Sequence, residues 1–335
     1  MNLHRRAIRI VHTRLGLVSN NRELLTRSEY FSDRVPQSLL TDYHRIEDLE
    51  WDGTAPGPGG VDAEIRILDT PGLDPAIALE PDRVLAVGDW TALEAANSDR
   101  RYSLFGNLGF LFRYAIHALE RYHDTWSFHA SAMVDDKGDL WLIPGGAGAG
   151  KTVFLLEGLQ RGWTVFSTEM THLRLTDGGY EFYKGSLFDN IRLGTLLYDF
   201  PAVADRLGLT LPPSPDPWGS KIALDLGHVQ TPADVLVSPS LRIVSPKVES
   251  GRDRAVVTRL DRREKLVKLL FDNATEKHGG TVLLYDRLPL PSLDTPALMA
   301  GRLRAMHGLV DRATIKSAHT TLCGARNCLE GLLDG

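Results

Sequence analysis

The sequence predicts an α/β fold, and three observations carry that expectation. A short apolar run, Leu140 to Ile143, feeds a glycine-rich loop and then a helix-forming segment, Val153 to Arg161. Leucines and aromatics recur at three- and four-residue spacing from Leu104 to Tyr122, the pattern of a long amphipathic helix. Short alternating runs before residue 100 read as strands, so a β-rich region (1–100) precedes a larger domain (101–335). A chain of 335 residues, 43% hydrophobic and 24% charged, is long enough and apolar enough to bury a sizeable core.

Charge and cysteine content narrow the class. The formal net charge is -5, which gives no footprint for nucleic acid or an anionic membrane. No signal peptide and no membrane span is visible, so the expectation is a cytoplasmic protein. The two cysteines, Cys323 and Cys328, have no second pair to make a zinc site and read as free thiols.

In chain order, Ala7 to His12 and Leu15 to Ser19 are short strand candidates. Trp51 to Gly60 is rich in Gly, Pro and Asp and reads as a loop. Val61 to Leu68 alternates as a half-buried strand, and Asp69-Thr-Pro-Gly72 follows as a turn. Val84 to Val87 is another strand. After the long helix, Trp126 to Val134, a turn at Asp135 to Gly138 and Leu140 to Ile143 make a hairpin, with His129 on its first strand. A histidine there is either a hydrogen-bonded core residue or a group facing the glycine loop.

That loop carries the chemistry. Gly145 to Thr152 matches G-x-x-x-x-G-K-[ST], and it lies between a strand and a helix, as a phosphate-binding loop requires. Backbone N–H groups from Gly146, Ala147, Gly148, Ala149, Gly150, Lys151, Thr152 and Val153 are the expected nucleotide contacts, reinforced by the positive end of the helix dipole. Lys151 is expected to reach the outer phosphates of a nucleotide, ATP or GTP, and the Thr152 hydroxyl to ligate Mg²⁺.

Downstream, Trp163 to Phe166 reads as a strand ending at Ser167-Thr-Glu-Met-Thr-His172. Glu169 is the carboxylate there, placed to hold Mg²⁺ through water or to accept a proton. Thr171 to Leu175 and Tyr180 to Tyr183 form a further hairpin. Leu211 to Trp218 is a proline-rich loop, and Ser220 to Gly227 and Leu241 to Val244 are strands. Lys221 and Lys247, near their ends, are either phosphate contacts or solvated surface lysines. Asp261 to Phe271 and Ala297 to Arg312 are helices, with Arg302, Arg304 and Arg312 expected on a solvated face.

Phe128-His-Ala-Ser-Ala, a turn, a strand, Gly-Gly-Ala-Gly-Ala-Gly-Lys-Thr and a helix ending at Arg161-Gly162 together resemble the HPr kinase-like proteins. That family is related in fold to the ATP-dependent phosphoenolpyruvate carboxykinases. The resemblance covers about Phe105 to Tyr183 and runs weakly to Phe271. It implies a mixed sheet around the phosphate-loop helix, transfer of the γ-phosphate of ATP to a hydroxyl, phosphate roles for Lys151 and Thr152, and a near-phosphate role for His129. Two departures point away from HPr as the acceptor. Thr168 and Glu169 stand where the family has paired aspartates, and Phe182-Tyr-Lys184-Gly185 stands where it has Glu-x-Arg-Gly.

The expectation is therefore a kinase acting on a small-molecule or peptide hydroxyl, with Lys151, Glu169 and His129 as catalytic groups and Thr152 and Glu169 at Mg²⁺. No nucleic-acid or membrane partner is expected, and self-association is left open. The alternative is a slow ATP-binding regulator of a partner. Carboxykinase chemistry ranks last, because no second metal set can be assembled.

Overall fold

Two six-stranded mixed sheets organise the residues that the computed structural model describes, which are 2–31, 43, 45–249 and 251–333. Each sheet belongs to a different unit. One unit comprises Met1–Thr125 with Lys277–Met299, and the other Trp126–Glu276 with Ala300–Gly335. The chain is thus mixed α/β.

The first unit is built on β1 (His4–Ile10), β2 (Thr13–Ser19), β3 (Ile46–Leu49), β4 (Ala63–Asp69), β5 (Ala76–Leu79) and β6 (Arg83–Gly88), in the order β3-β1-β2-β4-β6-β5. β2, β4 and β6 run parallel, and the outer pairs are antiparallel. Ile8, Ile10, Leu15, Leu17, Ile65 and Ile67 are buried, so the apolar positions seen in the sequence are core positions. The Asp69-Thr-Pro-Gly72 segment is a structural turn. Leu73 N–H donates to Thr70 O (3.1 Å), and the Asp69 carboxylate accepts from Asn21 and Thr91.

Helices α1 (Arg22–Thr26), α2 (Ser28–Phe31), α3 (Trp90–Ala96) and α4 (Phe110–His123) complete this unit with a hairpin from residues 282–290. The long helix begins six residues later than its periodicity suggested. A Cβ at Gly109 would lie 1.9 Å from Ser103 O, because the preceding chain folds tightly back and Phe110 N–H donates to Ser103 O. Leu104 is buried all the same, in that turn rather than on the helix.

The second unit contains β7 (Thr125–Phe128), β8 (Ala130–Val134), β9 (Leu140–Pro144), α5 (Lys151–Gln160), β10 (Thr164–Ser167), β11 (Thr171–Thr176), β12 (Gly179–Lys184) and β13 (Phe188–Arg192). After a short π-helical turn come α6 (Pro201–Arg206), β14 (Lys221–Asp225), β15 (Val235–Val237), β16 (Leu241–Val248), β17 (Val256–Arg259) and α7 (Arg263–Thr275). β18 (Val282–Leu284) and β19 (Leu288–Leu290) are the hairpin of the first unit. The chain then closes with α8 (Pro296–Arg312) and β20 (Ile315–Cys323).

The central sheet of this unit runs β10-β8-β9-β16-β20-β17, and a second sheet runs β15-β12-β11-β7. Alternation along β9 explains the unbroken apolar run. Trp141 and Ile143 pack with Phe154, Leu155 and Leu159 of α5, while Leu140 and Leu142 face the other way onto Leu266 and Leu270 of α7 and Met306 and Leu309 of α8. Both sheet faces are covered, so both parities are apolar. Each such side chain contributes roughly 1.5–3 kcal/mol by leaving water.

Two expectations are corrected here. Arg302 is fully buried and donates to Thr275 Oγ1 (3.1 Å). It lies on the stripe that continues through Ala305, Met306 and Leu309, so helical phase outweighs its charge. Arg304 and Arg312 are exposed as expected. The hairpin through Trp126 is also not continuous. β7 belongs to the second sheet and β8 to the central one, and His129 is the bend between them.

Candidate active site

The site lies where strands of the second unit change sheets. The chain passes from the second sheet to the central one at His129, and back again at Thr168–Met170 between β10 and β11. Thr171 Oγ1 donates to Ala130 O (2.9 Å) and Ser131 Oγ donates to Thr168 O, so the two corners are tied side by side. His129 and Glu169 are their corner residues, and His129 Nε2 stands 2.8 Å from Glu169 Oε2.

The glycine loop leaves β9 immediately beside this corner. Gly145 N–H donates to His129 O (3.4 Å), and Ala149 N–H turns back onto Gly146 O (3.1 Å). Ala147 and Gly148 form the exposed tip. Gly150 has φ +110°, and a Cβ there would meet Val248 Cγ2 at 2.2 Å, so only glycine fits. Val248 N–H donates to Ala149 O (3.1 Å), which clamps the loop to the end of β16. Lys151, Thr152 and Val153 form the first turn of α5, whose leading N–H groups have no acceptor within the helix. That geometry suits an anion.

Lys151 is 6% exposed. Its Nζ donates to Gly145 O (2.8 Å) and Gly146 O (3.4 Å), and lies 3.1 Å from His129 Nε2 and 3.8 Å from Glu169 Oε2. Thr152 Oγ1 donates to Asp189 Oδ2 (2.8 Å) at the start of β13. Burial, reinforced by the nearby Glu169 charge, pushes the Asp189 carboxyl up to about 7.

Mg²⁺ with a nucleotide is the group expected from the sequence, and Thr152 and Asp189 are donors of a type that would suit it. A hydroxyl and a carboxylate are hard oxygen ligands, and Mg²⁺ takes one or two carboxylates alongside substrate phosphates. Among the described residues no group of three or more His, Cys, Asp or Glu forms a ready-made metal site.

The expected residues therefore come together, with their partners sorted. Lys151, Thr152, His129 and Glu169 all line the corner, with Thr152 on Asp189 and Glu169 on His129 and Lys151. Thr168 is turned away. Its hydroxyl donates to Phe188 O (2.5 Å) and contacts Ser186 Oγ (2.8 Å). Lys184 is also structural, its Nζ bonded to Gln230 Oε1 and Thr231 O (both 2.7 Å) and paired with Asp234. Lys221 and Lys247 are exposed.

Two acidic residues were missed. Asp189 had a signal, since it follows the second hairpin closely. Glu276, at the C-cap of α7, had none: its carboxylate lies 2.9 Å from His129 Nδ1 although 147 residues separate them. No protein-family model matches the chain, and no curated protein matches it either.

Proposed function

We propose that the protein is a P-loop kinase of HPr kinase-like type, which moves the γ-phosphate of ATP to a hydroxyl of a small molecule or peptide other than HPr. One observation carries this reading. A G-x-x-x-x-G-K-T loop at a helix N-terminus brings Lys151 and Thr152 together with Asp189 and with the His129–Glu169 corner. In it, the loop amides and the first turn of α5 bind phosphate oxygens. Lys151 exchanges the carbonyls of Gly145 and Gly146 for the outer phosphates. Thr152 and Asp189 would hold Mg²⁺, which would supply charge neutralisation there. The His129–Glu169 corner takes the proton released by the acceptor hydroxyl. Positioning and charge stabilisation provide most of the catalysis in such chemistry.

ATP consumption with Mg²⁺, measured with and without a pool of hydroxyl metabolites and serine peptides, tests the reading. The expected result is a rate that rises with acceptor and vanishes in Lys151→Ala. Consumption that ignores every acceptor, together with tight ATP binding, supports the second reading, a slow ATP-binding regulator. The Thr168 hydroxyl favours that reading, since it is committed to Ser186 and Phe188 at the position resembling the family acid/base aspartate.

A further inference from the structure

The two cysteines meet at the end of the second unit. Cys323 is the last residue of β20, and Cys328 lies five residues on, past a turn that opens at Gly324. Both are free thiols, both are fully buried, and their sulfurs stand 2.6 Å apart. A cysteine used only as a small apolar filler sets its sulfur among carbon neighbours. These two set theirs against each other. The turn between them is built to do so. Gly324 N–H donates to Asn327 Oδ1 (2.7 Å), Asn327 Nδ2 donates to Arg252 O (3.3 Å), and a Cβ at Gly324 would lie 2.2 Å from Arg252 O.

Both neighbours of the pair support the glycine loop. Cys323 lies opposite Val248 in the parallel ladder of β16 and β20, and Glu249 N–H donates to Cys323 O (2.8 Å). Val248 is the residue that bonds Ala149 O and closes against Gly150. On the other side, Leu329 N–H donates to Glu157 Oε2 (3.1 Å) on α5, and Leu329 and Leu332 share a buried cluster with Leu155, Leu156 and Leu159 of that helix. Within itself the segment after Cys323 is held by short turn bonds, from Asn327 N–H to Gly324 O (3.4 Å), Glu330 N–H to Asn327 O (3.2 Å) and Leu332 N–H to Leu329 O (3.1 Å). A segment of this kind opens locally well before the sheet beneath it.

We propose that Cys323 and Cys328 are a peroxide-sensitive dithiol, whose disulfide staples the C-terminal turn to β20 beside the strand end that clamps the glycine loop. This does not depend on the phosphoryl-transfer reading. Hydrogen peroxide is little larger than water and reaches the pair when the turn opens. One sulfur attacks a peroxide oxygen, the O–O bond breaks, and a sulfenic acid and one water form. The other sulfur then attacks the first, the S–O bond breaks, and the hydroxyl leaves with the thiol proton as a second water. Two thiols thus lose two electrons and two protons, and one peroxide becomes two waters. A dithiol reductant reverses the change.

Arg326 lies between the cysteines, so trypsin separates them unless a disulfide holds them together. The full chain is treated with hydrogen peroxide, denatured in iodoacetamide and digested without reductant. Mass spectrometry is expected to find residues 317–326 and 327–335 joined as one linked pair, from chain that runs as a monomer on a denaturing gel. After dithiothreitol both are expected as separate alkylated peptides. Oxidation is expected to raise Tm by a few degrees in wild type and not at all in Cys328→Ser. Hydrogen exchange over residues 245–249 is expected to slow severalfold in the oxidised protein. Two alkylated thiols after peroxide, sulfonic acids without a link, or a link found only in covalent dimers overturns the dithiol. A linked pair with unchanged exchange at 245–249 overturns the staple. The peptide map uses wild-type protein alone, so it decides the matter even if Cys328→Ser fails to fold.

Discussion

Each unit of the molecule contains a histidine–glutamate cluster, and the two are built to different ends. In the first unit His278 Nε2 lies 2.9 Å from Glu120 Oε1, both side chains are 1% exposed, and His117 sits one turn before Glu120 on α4. In the second unit His129 is equally buried, but its carboxylate partners Glu169 and Glu276 are 36% and 38% exposed and a lysine joins them. The first cluster is sealed and the second opens on one side to whatever enters beside the glycine loop. Residue type does not separate the two histidines. The exposure of their carboxylate partners does.

Breaking the open cluster should have the largest effect, and on activity. Lys151→Ala is expected to reduce phosphoryl transfer by about a thousandfold or more while the fold survives, since on the proposed reading it removes the donor that leaves the Gly145 and Gly146 carbonyls for the outer phosphates. Far-UV circular dichroism alongside the transfer assay checks both halves. Breaking the sealed cluster should show in stability. Glu120→Ala leaves His278 buried without its carboxylate neighbour and is expected to cost about 1–3 kcal/mol in denaturant unfolding. Transfer by the molecules that remain folded should be unchanged. If Glu120→Ala instead lowers kcat at full stability, the contrast fails.

The clusters also differ in the sign of their pH dependence. Burial, aided by His278, lowers His117 to about 4. Its ordinary value near 6.5 applies in the unfolded chain, so unfolded protein takes up the proton first. Stability from this group is complete above pH 6.5 and is lost as pH falls towards 4, by up to about 3 kcal/mol. His117→Asn should flatten the acid limb of a Tm-versus-pH curve. Asp189 has the opposite sign. Its folded value of about 7 lies above the unfolded carboxyl range, so its contribution is lost as pH rises from 4 through 7. In metal-free protein Asp189→Asn should match wild type at low pH and exceed it in Tm by a few degrees at pH 8. If Tm falls at pH 8, the carboxylate is not strained and the reading of its burial is wrong.

Much of the open site was legible because it is local. Strand β9, the loop and α5 follow one another without a gap, and their apolar pattern, glycines, lysine and threonine are contiguous in sequence. Glu169 was legible because a strand of ordinary length must end near the loop it packs beside. The pairing of Thr152 with Asp189 was not, since it depends on where β13 begins after the chain leaves the second sheet. Glu276 was hidden more deeply. Nothing near it in sequence marks it, and only the docking of α7 on the far side of the sheet brings it to His129. Arg302 misled for a related reason: its charge argued for solvent, while its phase with Ala305, Met306 and Leu309 put it in the core. The return of residues 277–299 to the first unit left no compositional trace at all.

The most direct test of the account is mass spectrometry of acceptors after incubation with Mg²⁺ and γ-labelled ATP, with Lys151→Ala as the blank. The account predicts a labelled phosphoester on a hydroxyl compound or serine peptide with wild type, and none with the blank. Wild-type protein that binds ATP tightly through the glycine loop and labels nothing would contradict it.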